Sequence, residues 1–343
     1  MTISRLTDRG KKILRLIINN YISTGNPVGS FALVKNFGLP CSSATVRKAM
    51  ARLTDDGYIT QPHTSAGRVP TEKGIQFYVG TLLYNSKLSK EKRVDINRRY
   101  NEMEGTLDEI MEETSRVLSD ISNCAGLATA PITKYTKIKS AELVKLGESK
   151  VLVIFVLEGG ITEKTLIRME REIHPDVLES MSRYLSDISI GFTIEEVKTK
   201  VVEQLKNERQ LYGELLKSLL GINKAFEKKG QADIFIKGQT SIFENAQFSD
   251  PTQLRELIKT LEEKEILVDI LDDAIQEDGT SVFVGTSNGI IQGYSLVVAP
   301  YGKERRLGTL GVLGPLRMDY SQIIPLVDYT AGVVSRYIDE GGF

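Results

Sequence analysis

The chain has 343 residues, 41% of them hydrophobic and 26% charged, enough for two or three domains with ordinary buried cores. Its longest apolar run, Val151 to Leu157, is far short of the ~20 residues of a membrane span, the N-terminus has no apolar signal core, and Cys41 and Cys124 with two histidines offer neither metal-ligand spacing nor a disulfide framework, so a cytoplasmic protein without metal, cofactor or membrane contact is expected. The net charge of −1 hides an asymmetry: residues 1–80 carry 11 Lys and Arg against four acids, while the other 263 carry 33 against 41, a basic head on an acidic body, as expected when one domain meets a polyanion.

Thr7 is placed to cap a helix in which Ile13, Leu14, Ile17, Ile18, Tyr21 and Ile22 recur at helical spacing, and Gly25 with Pro27 ends it. Ser30 opens a shorter helix carrying Ala32, Leu33 and Phe37, which Gly38-Leu39-Pro40 breaks. On a third helix Val46, Met50 and Leu53 face the first two, leaving Ser43, Arg47, Lys48 and Arg52 on the opposite face. Short polar and cationic side chains near the start of such a helix, here Ser42, Ser43, Thr45, Arg47 and Lys48, can approach base edges and phosphates together, so the three helices read as a helix-turn-helix. Gly57 stops the helix, Tyr58 to Gln61 can pair with Arg68 to Pro70, and Pro62 to Gly67 forms the tip of a small β-wing before Thr71 caps a closing helix. There His63 or Arg68 would lie beside phosphates or a minor groove, and Ser65, Ala66 and Gly67 allow close approach; an ordinary solvated hairpin is the duller alternative. The candidate DNA-binding set is therefore Ser42, Ser43, Thr45, Arg47, Lys48, Arg52, His63, Thr64, Ser65, Gly67 and Arg68.

Beyond the head, Asn85 to Arg99 reads as a charged linker entering a long helix, where Ile96, Tyr100, Met103, Leu107, Ile110, Thr114, Val117 and Ile121 alternate by four and three. That stripe suits either a dimer seam or a helix lying on its own domain's sheet. Strand patterns follow at 141–145, 151–157 and 161–169, and again at 281–286, 293–299 and 307–313, before an amphipathic helix over 319–337. One antiparallel sheet with flanking helices is the simplest α+β arrangement. Between the strand groups, residues 175–229 are helical in pattern and interrupt the sheet domain, either as a dimerising insertion or as a packed helical subdomain. No enzyme is expected: the glycines of 308–314 and 285–293 lack the Gly-Lys-Ser/Thr ending of a phosphate loop, and His174 has no paired nucleophile motif.

The runs Gly25-x-Pro27-Val28-Gly29-Ser30, Ser42-Ser43-Ala44-Thr45-Val46-Arg47, Gly57-Tyr58 and Gln61 to Thr71 (QPHTSAGRVPT), with the late run Gly308 to Pro315 and Met318-Asp319-Tyr320, closely resemble the bacterial heat-inducible transcription repressor family HrcA. Two positions depart from it: Phe31 stands where members commonly have Arg, and Lys48-Ala49 where they usually have Asn-Glu. The resemblance implies a multidomain α+β fold, with a winged-helix domain over 1–84, a linker over 85–100, a discontinuous GAF-like domain over 101–170 and 231–343, and an inserted, mainly helical dimerising domain over 171–230. It also implies a homodimer that represses chaperone operons by binding double-stranded DNA at the inverted repeat CIRCE, is released on heat stress, and is kept active by the chaperonin GroEL. The alternative is a one-component regulator whose GAF-like domain binds a small effector.

Overall fold

A computed structural model of the chain describes residues 6–64, 66–82, 87–103, 106–131, 136–158, 161–169, 172, 174–194, 196, 197, 199, 200, 234–240, 259, 261, 264–275, 279–285, 292–303 and 306–339. At its start, Thr7 Oγ1 accepts the Gly10 N–H and caps helix α1 (Asp8–Thr24), which Gly25 closes at φ +69°. Helix α2 (Ser30–Phe37) ends at Gly38, also left-handed, and Ser42 caps helix α3 (Ser43–Asp55). The residues spaced for a core are buried together: Ile13, Leu14, Ile17 and Ile18 of α1, Leu33 of α2, and Val46, Met50 and Leu53 of α3. Strands β1 (Ile59–Thr60) and β2 (Val69–Pro70) form an antiparallel hairpin, Ile59 opposite Pro70, and Thr71 caps helix α4 (Glu72–Phe77), which runs on as a π-turn to Leu82.

The linker expected over 85–100 is, from Lys90 onward, helix α5 (Lys90–Asn101), and the long helix expected next is broken. Helix α6 (Leu107–Ser122) starts afresh with a capping box in which Thr106 and Glu109 satisfy each other's backbone N–H. Ile96, Tyr100, Ile110, Thr114 and Val117 are buried within the chain's own core, so the stripe packs internally.

The single sheet expected from the strand pattern is two sheets. Strands β4 (Ile138–Lys145), β5 (Lys150–Leu157) and β6 (Thr162–Arg168) form an antiparallel meander on which helix α7 (Pro175–Ser189) packs. They have their own core of Val151, Val153, Phe155, Leu157, Met181 and Leu185, closed where Gly191 donates to the Ile138 carbonyl and Ile138 to that of Phe192. The other sheet is antiparallel in the order β7-β3-β10-β9-β8, with β3 (Ala125–Thr129), β7 (Ile234–Lys237), β8 (Ser281–Val284), β9 (Tyr294–Tyr301) and β10 (Gly308–Pro315). Both its faces are covered, which accounts for burial that is continuous in β3 and broken only at Pro300 in β9 and Pro315 in β10. Helices α6 and α9 (Tyr320–Asp339) lie on Val297, Ala299, Leu310 and Val312, and α8 (Lys264–Ala274) lies on Leu296, Val298 and Leu313. Thr129 pairs with Ile234, so the chain leaves this sheet after β3 and returns beside the same strand at β7, with β4–β6 and α7 made in the interval. Of the helical pattern expected over 175–229, Val197 is buried in the core shared by β4–β6 and α7, and residues 201–229 lie outside the described residues. Among the described residues no helix is long and apolar enough to cross a membrane.

Candidate nucleic-acid interface

The recognition-type face is built by capping and by what the apolar face leaves over. Ser42 Oγ accepts the Thr45 N–H at 3.2 Å and lies 3.0 Å from Thr45 Oγ1, fixing the first turn of α3. With Val46, Met50 and Leu53 turned inward, Arg47, Lys48 and Arg52 are exposed, Ser42 is exposed at the cap, and Ser43 and Thr45 are half-buried. None of the three cations makes a salt bridge among the described residues, so each is available to an anion. Phe31 is 70% exposed on the first turn of α2, so the position where Arg is common presents an aromatic ring to solvent.

The hairpin is fastened to the helices by backbone as well as side chains. Val28 and Arg68 exchange both N–H···O bonds, at 3.0 and 2.9 Å, so the hairpin's return strand docks on the segment between α1 and α2. Gly67 is required for this: an added Cβ would lie 2.5–2.7 Å from the Val28 backbone. Its small size therefore serves a contact inside the protein that the local sequence does not reveal. Arg68 Nε donates to Thr54 Oγ1 at 3.3 Å, which ties this guanidinium to the last turn of α3. At the tip, Gln61 Nε2 donates to the carbonyls of Thr64 (2.7 Å) and Ala66 (2.9 Å), leaving His63 and Thr64 exposed; Ser65 lies outside the described residues.

The structure thus brings Ser42, Ser43, Thr45, Arg47, Lys48 and Arg52 onto one helix and places His63, Thr64, Gly67 and Arg68 on the hairpin beside its end. Sequence reasoning missed Gln61, Thr54 and Val28, the residues that hold the hairpin in shape and place. Gln61 and Val28 stand inside the motif runs, but the bonds of Val28 reach some forty positions along the chain to Arg68 and those of Gln61 run from its side chain to carbonyls within the tip, and neither leaves a mark in apolar periodicity.

Such a surface can meet a duplex with a helix rich in hydroxyls and free cations and a hairpin at its flank. Comparison with known proteins agrees. The family described as HrcA protein C terminal domain matches residues 108–324. A protein of Geobacter sulfurreducens named heat-inducible transcription repressor HrcA is 40% identical over 97% of this chain and 98% of its own length. One of Syntrophobacter fumaroxidans with the same name is 34% identical over 99% of each. A solved structure described as "Crystal structure of a hypothetical protein at 2.2 A resolution" aligns with TM-score 0.58 and 22% identity over 98% of this chain and 100% of its own, a likeness of fold.

Proposed function

This chain belongs to the HrcA family of heat-inducible transcription repressors, and we propose that it represses heat-shock operons by gripping an inverted-repeat operator as a dimer. The observation that carries the reading is the free cationic face of α3, with Arg47, Lys48 and Arg52 exposed and unbridged beside a docked hairpin, on a head whose charge is opposite to the body's. In this reading α1–α3 and the hairpin form a winged helix-turn-helix: α3 enters the major groove with Ser42, Ser43, Thr45, Arg47 and Lys48, while Arg52, His63, Thr64, Ser65, Gly67 and Arg68 follow the flanking backbone. In the same reading the five-stranded sheet with α6, α8 and α9 is the GAF-like unit, and the dimerising insertion is taken to begin just past Thr129, ahead of the residue 171 expected from the sequence, because the chain leaves the sheet there and rejoins it at Ile234. One helix-turn-helix covers little DNA, and a two-fold dimer reads half-sites about one or more turns of roughly 10 bp apart. The CIRCE operator and maintenance by GroEL follow from the family resemblance and are proposed on that ground, with the cytoplasm as the place of action and no enzymatic step.

The effector-binding alternative gains nothing from the sheet, where Leu267 and Leu271 of α8 are fully buried against one face and α6 and α9 cover the other. The test is salt-dependent binding of the full chain to an inverted-repeat CIRCE duplex and to a scrambled duplex, with and without chaperonin. Repeat-specific binding that chaperonin improves and heating abolishes is expected. Equal, weak binding to both duplexes in every condition would overturn the operator, and a metabolite that altered affinity at constant temperature would favour the effector reading.

A further inference from the structure

The joint between the head and the five-stranded sheet is made at a pair of glycines. Glu72, in the first turn of α4, is half-buried, and Gly293 donates its backbone N–H to Glu72 Oε1 at 3.3 Å. Gly285, at φ +65°, approaches so closely that an added Cβ would lie 1.9 Å from Glu72 Cδ and 2.0 and 2.2 Å from its oxygens. Gly285 also donates to the Tyr294 carbonyl at 3.0 Å, so the two glycines belong to one hydrogen-bonded end of the β8–β9 pair, and the carboxylate sits in a notch walled by backbone. On its other side α4 is bound to the end of α3: Thr71 Oγ1 donates to the Gly57 carbonyl at 2.7 Å, Lys73 Nζ donates to that of Asp56 at 2.7 Å, and a Cβ on Gly74 would strike the Tyr58 carbonyl oxygen. A turn of α4 therefore carries α3 with it.

The apolar core is shared across the joint, since Ile75 and Tyr78 belong to the same cluster as Val284 and Tyr320. Apolar burial is non-directional and holds two bodies together without fixing their angle. A carboxylate seated between backbone walls and receiving an N–H supplies the direction. We infer that Glu72 is a positioning residue for DNA binding: seated in the Gly285–Gly293 notch, it sets the angle at which the body presents α3 and hence the half-site spacing a dimer accepts. The inference rests on the inverted-repeat reading above. A stiff joint confines two heads to one separation, whereas a swivelling joint keeps the affinity of each head and gives up selectivity for spacing.

Full-length Glu72→Ala, Glu72→Gln, Gly285→Ala and Gly279→Ala test it. Gly285→Ala expels the carboxylate from the opposite side, while Gly279, at φ +78° with nothing within 4 Å of an added Cβ, controls for the strain of a side chain at positive φ. Two readouts are taken: relative affinity for operators whose half-sites are moved apart by about half a turn (~5 bp), and the distance distribution between spin labels on Lys35→Cys and Arg336→Cys in a Cys41→Ser background. The parent and Gly279→Ala are expected to prefer one spacing by about tenfold or more with a narrow distance distribution. Glu72→Ala and Gly285→Ala reduce that preference to within about twofold and broaden the distribution, with single half-site binding unchanged, and Glu72→Gln, which keeps an acceptor oxygen, restores most of both. Unchanged spacing preference and distances in Glu72→Ala and Gly285→Ala overturn the inference. A parent that binds every spacing equally, while its distances are narrow and broaden in Glu72→Ala, overturns the inverted-repeat reading and leaves the joint standing.

Discussion

Arg47 and Arg68 both bring a guanidinium to the proposed DNA face, but their surroundings give them different work. Arg47 is exposed and unbridged on α3, so Arg47→Ala should weaken operator binding by about 1–3 kcal/mol while scarcely affecting random duplex. Equal weakening on both duplexes in a binding titration would remove base reading from this residue. Arg68 is held by Thr54 at the hairpin's root and points from a fixed base, so it suits a phosphate: Arg68→Ala should lower affinity for every sequence and reduce the salt slope by about one unit. Gly67→Ala drives a methyl group into the Val28 backbone, which cannot rotate away as a side chain would. Its expected cost is about 1–3 kcal/mol, read as a lower denaturation midpoint together with weaker binding. These residue types were legible in the sequence because caps and helical spacing are local; Gly67's role was not, because it depends on a strand pairing with a residue some forty positions away.

At the scale of elements, the α5–α6 corner shows why a correct spacing can support an incorrect helix. Tyr100 and Thr114 stand two heptads apart, so a stripe counted along the chain includes both, yet their hydroxyls meet at 2.6 Å across the break between two helices. Heptad arithmetic finds which residues are buried and cannot see the chain turn. Tyr100→Phe should cost about 1 kcal/mol by urea titration, since Thr114 Oγ1 retains its 2.7 Å bond to the Ile110 carbonyl and leaves no buried orphan. The division of the strands into two sheets was equally hidden, because the alternation in β5 and the near-continuous apolar run in β9 record burial and say nothing of the partner. At the turn that leads from α6 into β3, burial pushes the Cys124 thiol up from 9.0 to about 11, against the lowering effect of Ser122. An acid whose folded pKa lies above its unfolded one stabilises the fold fully below the unfolded value and loses that contribution as pH rises to the folded one. The melting midpoint should therefore fall between pH 9 and 11, and Cys124→Ala should flatten that part of the profile; an unaltered slope would show the thiol to be uncoupled from folding.

For the molecule as a whole, the pairing of Thr129 with Ile234 makes the stretch between them separable. Replacing residues 132–231 by a two-residue Asn-Gly turn should leave the five-stranded sheet folded by circular dichroism and yield monomers by light scattering, with operator affinity lost before non-specific affinity. A persistent dimer would move the contact between protomers to another surface. The same topology decides where the protein fails on heating. While the excursion is folded, its backbone bridges between Ile138 and the segment at Ile190 to Phe192 tie one end of it together. Once it melts, β3 and β7 are joined by a free loop of about 100 residues, whose closure costs on the order of 4 kcal/mol, and what opposes that cost among the described residues is a four-residue edge strand with its contacts to β3 and α6. β7 should then peel away first, taking with it the Lys237–Glu112 ion pair and baring one edge of β3, visible as early hydrogen exchange in β7 and at the β3 amides that face it. An exposed strand edge is a template for another chain, so the length of one detour should set both the temperature at which this sheet opens and the edge that it then bares.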